Sequence, residues 1–129
     1  MHIKTELGKL YLIPVTLGDT PPLEVMPGMV QKIVEQLDDY IVENEKTARR
    51  FIKQISPKKP QPSLILHALN KHTEASEIPN FLDACLKGKS MGLMSEAGVP
   101  GVADPGAEVV RIAHEKGIQV VRLLVLLQS

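Results

Sequence analysis

Residues 95–106 read Ser-Glu-Ala-Gly-Val-Pro-Gly-Val-Ala-Asp-Pro-Gly. Glycines at Gly98, Gly101 and Gly106 and prolines at Pro100 and Pro105 share this stretch with two acids, Glu96 and Asp104. Glycine lets a backbone approach a ligand closely, and proline fixes a loop's shape at little entropic cost. Such a loop suits a small molecule held by main-chain groups. A plainer reading is a long turn closed by a helix cap, with Asp104 as N-cap and Pro105 as first helical residue. Local chemistry leaves the two readings level.

Other chemistries lack their residues. No G-x-x-x-x-G-K-[ST] occurs, which argues against a nucleoside triphosphatase, and no G-x-G-x-x-G follows the first strand signal. His67 and His72 have no second cysteine and no H-E-x-x-H near them, so no metal site is expected. Ser95 lacks the G-x-S-x-G setting of a hydrolase elbow. Cys85 is the single cysteine and falls on the apolar side of a helical pattern, which reads as a buried thiol. Lys46, Arg49, Arg50 and Lys53 form a basic run, read as a solvated helix face with an RNA-contact stripe as the alternative.

The chain has 129 residues, 43% of them hydrophobic, enough for one domain with a real core. Fifteen basic and fifteen acidic residues cancel, which argues against a domain devoted to gripping phosphate backbones. The start, Met-His-Ile-Lys-Thr-Glu, lacks the apolar core of a signal peptide, and no apolar run approaches the ~20 residues of a membrane span. The expectation is a soluble, cytoplasmic protein without membrane contact.

Strand and helix signals alternate. Apolar runs at 10–15, 40–42, 63–69 and 91–94 and from Gln119 onward read as strands. Helical spacing recurs from Met29 to Leu37, at 45–55, at 77–86 and at 106–116, with a proline-rich loop at 56–62. Alternation at this pitch predicts a three-layer α/β/α fold around a mostly parallel sheet of about five strands. In such a sheet every strand-to-helix loop leaves from one edge, where ligands bind. The loops at 14–22, 43–46, 70–76 and 95–105 therefore converge, bringing Gly18, Asp19, Glu43, Asn44, Asn70, His72, Thr73, Ser95, Glu96 and Asp104 to one edge. The loops of the opposite edge, such as 56–62, are plainer.

Three segments carry a family resemblance. Leu-Tyr-Leu-Ile-Pro-Val-Thr-Leu-Gly-Asp at 10–19, Glu-Asn-Glu-Lys-Thr-Ala-Arg-Arg at 43–50 and the 95–106 loop resemble the tetrapyrrole methylase superfamily. Within it they are most similar to the branch that methylates a cytidine ribose 2′-hydroxyl of small-subunit (16S) ribosomal RNA. That branch carries L-Y-L-V-P-T-P-I-G-N, A-E-D-T-R and S-D-A-G-T-P-G-I-S-D-P-G in this order. The likeness runs from about Leu10 to Val121. It implies the N-terminal domain of an S-adenosylmethionine-dependent methyltransferase, with the cofactor held between two α/β domains in a homodimer. Carried over by position, the cofactor contacts are Leu17 and Gly18 in the first loop, and Ser95, Glu96, Ala97, Gly98, Val99 and Pro100 in the second. The alternatives are a methyltransferase acting on a tetrapyrrole carbon and a non-catalytic α/β binding module.

The departures from the family pattern are specific. Glu43-Asn44-Glu45-Lys46 stands at E-D-T-R, and Asn70-Lys71-His72-Thr73-Glu74 at H-E-H-N-E. Where relatives continue V-V-P-L-x-G-P-S into a second domain, this chain reads Val120-Val121-Arg122-Leu123-Leu124-Val125-Leu126-Leu127. The expected organisation is a domain over 1–121 and an atypical tail over 122–129, from truncation or a shifted reading frame. With half the cleft missing, the chain alone is expected to bind the cofactor weakly or not at all, and its apolar tail to favour self-pairing. A ribose acceptor needs a proton acceptor, for which Glu43 is the first candidate and Asp104 the second. The plainer roles are a helix-start carboxylate for Glu43 and a cap for Asp104.

Overall fold

Successive strand side chains point to opposite faces, so a strand apolar at every position must be covered on both sides. Asp39 through Val42 are buried without a break, and the sheet is sandwiched accordingly. The computed structural model describes residues 6–15, 28–70, 72–96 and 105–123. In chain order these form β1 (Leu10–Val15), α1 (Gly28–Gln36), β2 (Asp39–Val42) and α2 (Glu45–Ile55). A 3-10 turn (Gln61–Ser63) then precedes β3 (Ile65–Ala68), and a second (Ile78–Leu82) runs into α3 (Asp83–Leu86). The chain continues with β4 (Met91–Glu96), α4 (Pro105–Glu115) and β5 (Val120–Arg122). The five strands lie in the order β3-β2-β4-β1-β5, all paired in parallel.

Two apolar clusters mark the two faces. On one, Ile13, Tyr40, Val42 and Met94 meet Val30 and Val34 of α1 and Ala48, Phe51, Ile52 and Ile55 of α2. On the other, Leu10, Ile41, Met91 and Leu93 meet Ile78, Leu82 and Cys85 together with Val109, Ile112 and Ala113 of α4. The helices after β1 and β2 therefore cover one face, and those after β3 and β4 the other. The expected three-layer α/β/α arrangement is the observed one.

Tyr40 stitches this frame together. Its ring lies over Gly92 of the central strand β4, where a Cβ would stand 2.7 Å from the ring and 2.8 Å from Ile13 Cδ1. Its hydroxyl donates between the carbonyl oxygens of Val34 (3.0 Å) and Leu37 (3.1 Å), at the end of α1. Burial, with the Asp38 charge adding, holds that hydroxyl above the ordinary tyrosine range, so it stays a donor. Gly8 allows a second close approach, since a Cβ there would overlap the Lys89 carbonyl at 2.1 Å.

Several elements differ from the sequence expectation. The single helix expected over 77–86 is a 3-10 turn followed by one α turn. Pro79 gives no amide to an α ladder, and Asn80 N–H donates three residues back to Glu77, at 3.0 Å. Ile78, Leu82 and Cys85 still face inward. Strand pairing begins at Ile65 rather than 63, because Ser63 and Leu64 close the preceding turn onto Pro60 and Gln61. β4 extends two residues past Met94, since Ser95 and Glu96 pair with Pro14 and Val15.

The 56–62 loop is less plain than expected. Lys59 donates to the Glu35 carbonyl (2.8 Å) and pairs with Asp38 (2.8 Å), closing the C-terminal end of α1. β5 is described as far as Arg122. Leu123 is buried against the α1–α2 face, with its amide donating to Leu12, so this part of the apolar tail is covered within the domain. Residues 124–129 lie outside the described set.

Gly92→Ala is expected to cost about 1–3 kcal/mol by overpacking. Tyr40→Phe is expected to cost about 1–2 kcal/mol by stripping two carbonyls of their donor. Urea unfolding checks both, and a Gly92→Ala protein as stable as the parent would refute the packing account. The buried Cys85 thiol gives a pH signature. Burial first, with the Asp39 charge adding, raises its pKa from 9.0 to about 11. Between those values the unfolded chain has lost the proton that the folded one keeps, so stability falls as pH rises from 9 to 11. The loss should be of order 2 kcal/mol, and Cys85→Ala should flatten this limb of the stability profile.

Candidate functional site

A reversal in winding direction creates the site. β1 and β4 are hydrogen-bonded neighbours, paired from Leu10↔Met91 to Val15↔Glu96. The helix after β1 lies on one face and the helix after β4 on the other. Two loops that leave adjacent parallel strands toward opposite faces open a crevice between them at the carboxyl edge. A cleft of about 260 Å³ lies at that edge, lined by Leu12, Leu69, Leu93, Met94 and Val110 among others. Its wall also includes Gly106 and Ala107, in the first turn of α4.

Glu43 and Arg122 are the charged residues among the described lining. Glu43 directly follows β2, is exposed and is brought to the cleft as expected. The side-chain cap of the following helix comes from its neighbour Asn44. Asn44 takes an extended backbone, φ −135°, and its Oδ1 accepts from Thr47 N–H at 3.1 Å, capping α2. The amide thus does the local work at Asn44, where the resembled motif has an aspartate. Arg122 ends β5 beside Leu12, with which it is in register. Sequence reasoning missed it, because the apolar run around it reads as a tail. The signal was a lone cation closing an otherwise apolar strand.

Ser95 and Glu96 end β4, so their backbones stand at the crevice beside Pro14 and Val15. Leu17, Gly18, Ala97, Gly98, Val99, Pro100 and Asp104 lie outside the described residues. The 70–76 loop reaches the same edge, but its polar groups serve the turn. Asn70 Oδ1 accepts from His72 N–H (2.8 Å), and Thr73 Oγ1 accepts from Asn70 N–H (3.0 Å). Of the basic run on α2, Arg49 is half-buried and donates to Gln61, at its carbonyl (3.2 Å) and Oε1 (3.4 Å). Lys46, Arg50 and Lys53 are exposed.

The opposite edge has a cleft of about 360 Å³, lined by Gln36, Asp38, Asp39, Lys89 and Ser90 among others. It lies at the strands' amino ends, and Asp38 is already paired with Lys59. The carboxyl edge is the better candidate because the crossover reversal occurs there. Among the described residues no group of three or more His, Cys, Asp or Glu side chains is placed to hold a metal ion. No helix among them is long and apolar enough to cross a membrane.

No family model matches the chain. Individual relatives do. A ribosomal RNA small subunit methyltransferase I from Leptospira biflexa is 31% identical over 121 residues, covering 94% of this chain and 47% of that protein. The Bacillus subtilis protein of the same name is 30% identical over 120 residues, 93% of this chain and 38% of that protein. Among solved structures, the cobalamin biosynthetic enzyme cobalt precorrin-4 methyltransferase, CbiF, superposes with a TM-score of 0.64 at 18% identity. That superposition covers 92% of this chain and 46% of CbiF. The chain thus spans about half the length, or less, of the relatives it matches. It is related in sequence to the small-subunit ribosomal RNA methyltransferases I and carries, along most of its length, the fold of the tetrapyrrole methyltransferases.

Proposed function

We propose that this chain is the N-terminal, cofactor-binding half of an S-adenosylmethionine-dependent methyltransferase whose acceptor is a ribose 2′-hydroxyl of small-subunit ribosomal RNA. The observation that carries this reading is the parallel pairing of β1 with β4 up to Val15↔Glu96, at the reversal of the sheet. The loops assigned to the cofactor start side by side there. The cleft suits part of such a ligand. Its apolar wall of Leu12, Leu69, Leu93, Met94 and Val110 matches a nucleoside, and Arg122 supplies a polar anchor. At about 260 Å³ it is smaller than the ~300–1,000 Å³ of complete ligand pockets. That fits a site completed by a second α/β domain, in a homodimer like those of the resembled family.

When bound, S-adenosylmethionine supplies a methyl group already activated by its sulfonium. The chain's task is then to position an acceptor oxygen, exclude water and take up one proton. Glu43 is the group we assign to that proton, because it is the carboxylate among the described residues that line the cleft. RNA is preferred as acceptor on the sequence relationship of 30–31% to the ribosomal RNA enzymes. Methylation of a tetrapyrrole carbon is the second reading, supported by the fold shared with CbiF.

NMR titration of the 129-residue chain with S-adenosylhomocysteine should show weak binding, in the range above micromolar. Shifts should cluster at the amides of Val15, Glu96 and Gly106. Shifts confined to Gln36, Asp39 and Lys89 at the opposite edge would overturn the site, and micromolar affinity by calorimetry would overturn the half-site reading. With the second domain supplied, labelled methyl should pass to ribose of small ribosomal subunits rather than to a tetrapyrrole. Glu43→Gln should then slow transfer by about 10²-fold with cofactor binding retained.

A further inference from the structure

We propose that Arg122 sets the direction in which the cofactor lies, by pairing with its amino-acid carboxylate at the β5 end of the cleft. This rests on the cofactor reading above and adds to it a residue and an orientation. Arg122 is exposed, lines the cleft, and is the only cation among the described lining residues. Unlike Arg49, held by Gln61, and Arg111, held by Glu108 and Glu115, its side chain has no hydrogen bond or ion pair among the described residues. Its guanidinium is a planar fork that matches a carboxylate in a two-point contact.

Position makes the pairing directional. Glu43 follows β2 and Arg122 ends β5, with β4 and β1 between them. Three strand intervals separate the two charges, about 14 Å at the usual spacing. A carboxylate is drawn to Arg122, at the β5 end. The sulfur-bearing middle of the molecule would then fall near the ends of β4 and β1, which pair up to Val15 and Glu96. Among the described lining residues, the wall between the two charges is apolar.

The test compares two ligands on the full chain by NMR titration, which reads millimolar binding. S-adenosylhomocysteine carries the carboxylate, and 5′-methylthioadenosine has the same adenosyl thioether without it. Arg122→Met should weaken S-adenosylhomocysteine about tenfold to a hundredfold and leave methylthioadenosine unchanged. Arg122→Lys should recover part of the loss. Because the side chain is exposed, the variant spectra should retain the parent's dispersion. Equal losses for both ligands, or no loss for either, would overturn the carboxylate pairing and leave the cofactor reading standing. Should the parent chain alone bind neither ligand, the same comparison is made with the second domain supplied, and binding of neither there would overturn the cofactor reading itself. If Arg122→Met instead abolished binding of a short ribosomal RNA fragment while S-adenosylhomocysteine bound as before, the residue would be a phosphate contact and the proposal wrong.

Discussion

The structure depends on a missing side chain. Gly92 lies in the central strand, and the space above it is taken by the ring of Tyr40 and by Ile13. Any Cβ at that position would push against both β2 and β1, the two neighbours of β4. The same ring carries a hydroxyl into the last turn of α1. One residue pair therefore ties the sheet's middle to the helix that follows the first loop. With that helix end fixed, and Val15 locked beside Glu96, the two loops leave from positions set by the core rather than by the loops themselves.

Much of this was legible in the sequence, for identifiable reasons. β1, β2 and β4 are apolar on both faces, so unbroken runs announce them. α1, α2 and α4 present one apolar stripe each, and their spacing was enough. The edge strand β3 was drawn too long because its first residues are held by a turn that depends on Pro60 and Gln61, a local choice that periodicity does not report. The helix over 77–86 kept its inward face but changed its winding around Pro79. At the candidate site, topology brought the strand ends to one edge, and Glu43 lines the cleft there. The cap at Asn44 and the place of Arg122 were hidden because each depends on a neighbour's geometry: the start of α2 in one case, the register with Leu12 in the other.

The two edges of the sheet divide their tasks. At the amino edge, charges are spent on closure. Lys59 joins Asp38 and the Glu35 carbonyl, and Lys9 N–H meets Ser90 Oγ where Gly8 crosses the Lys89 backbone. At the carboxyl edge, the polar groups of Asn44, Asn70 and Thr73 serve their own turns, while Glu43 and Arg122 flank an apolar cleft.

The strand order also bears on how the chain is made. β1 emerges first from the ribosome, yet both of its partners, β4 and β5, come from the last third of the chain. Until then its hydrogen-bonding groups and its leucines have no lattice to join. At about 5–20 residues per second that wait lasts roughly 5–15 seconds. Meanwhile β2 and β3, adjacent in both sequence and space, are free to pair. Nascent chains should therefore pass through a stage in which Leu10 to Val15 is a natural ligand for holding chaperones, and release should coincide with the appearance of β4.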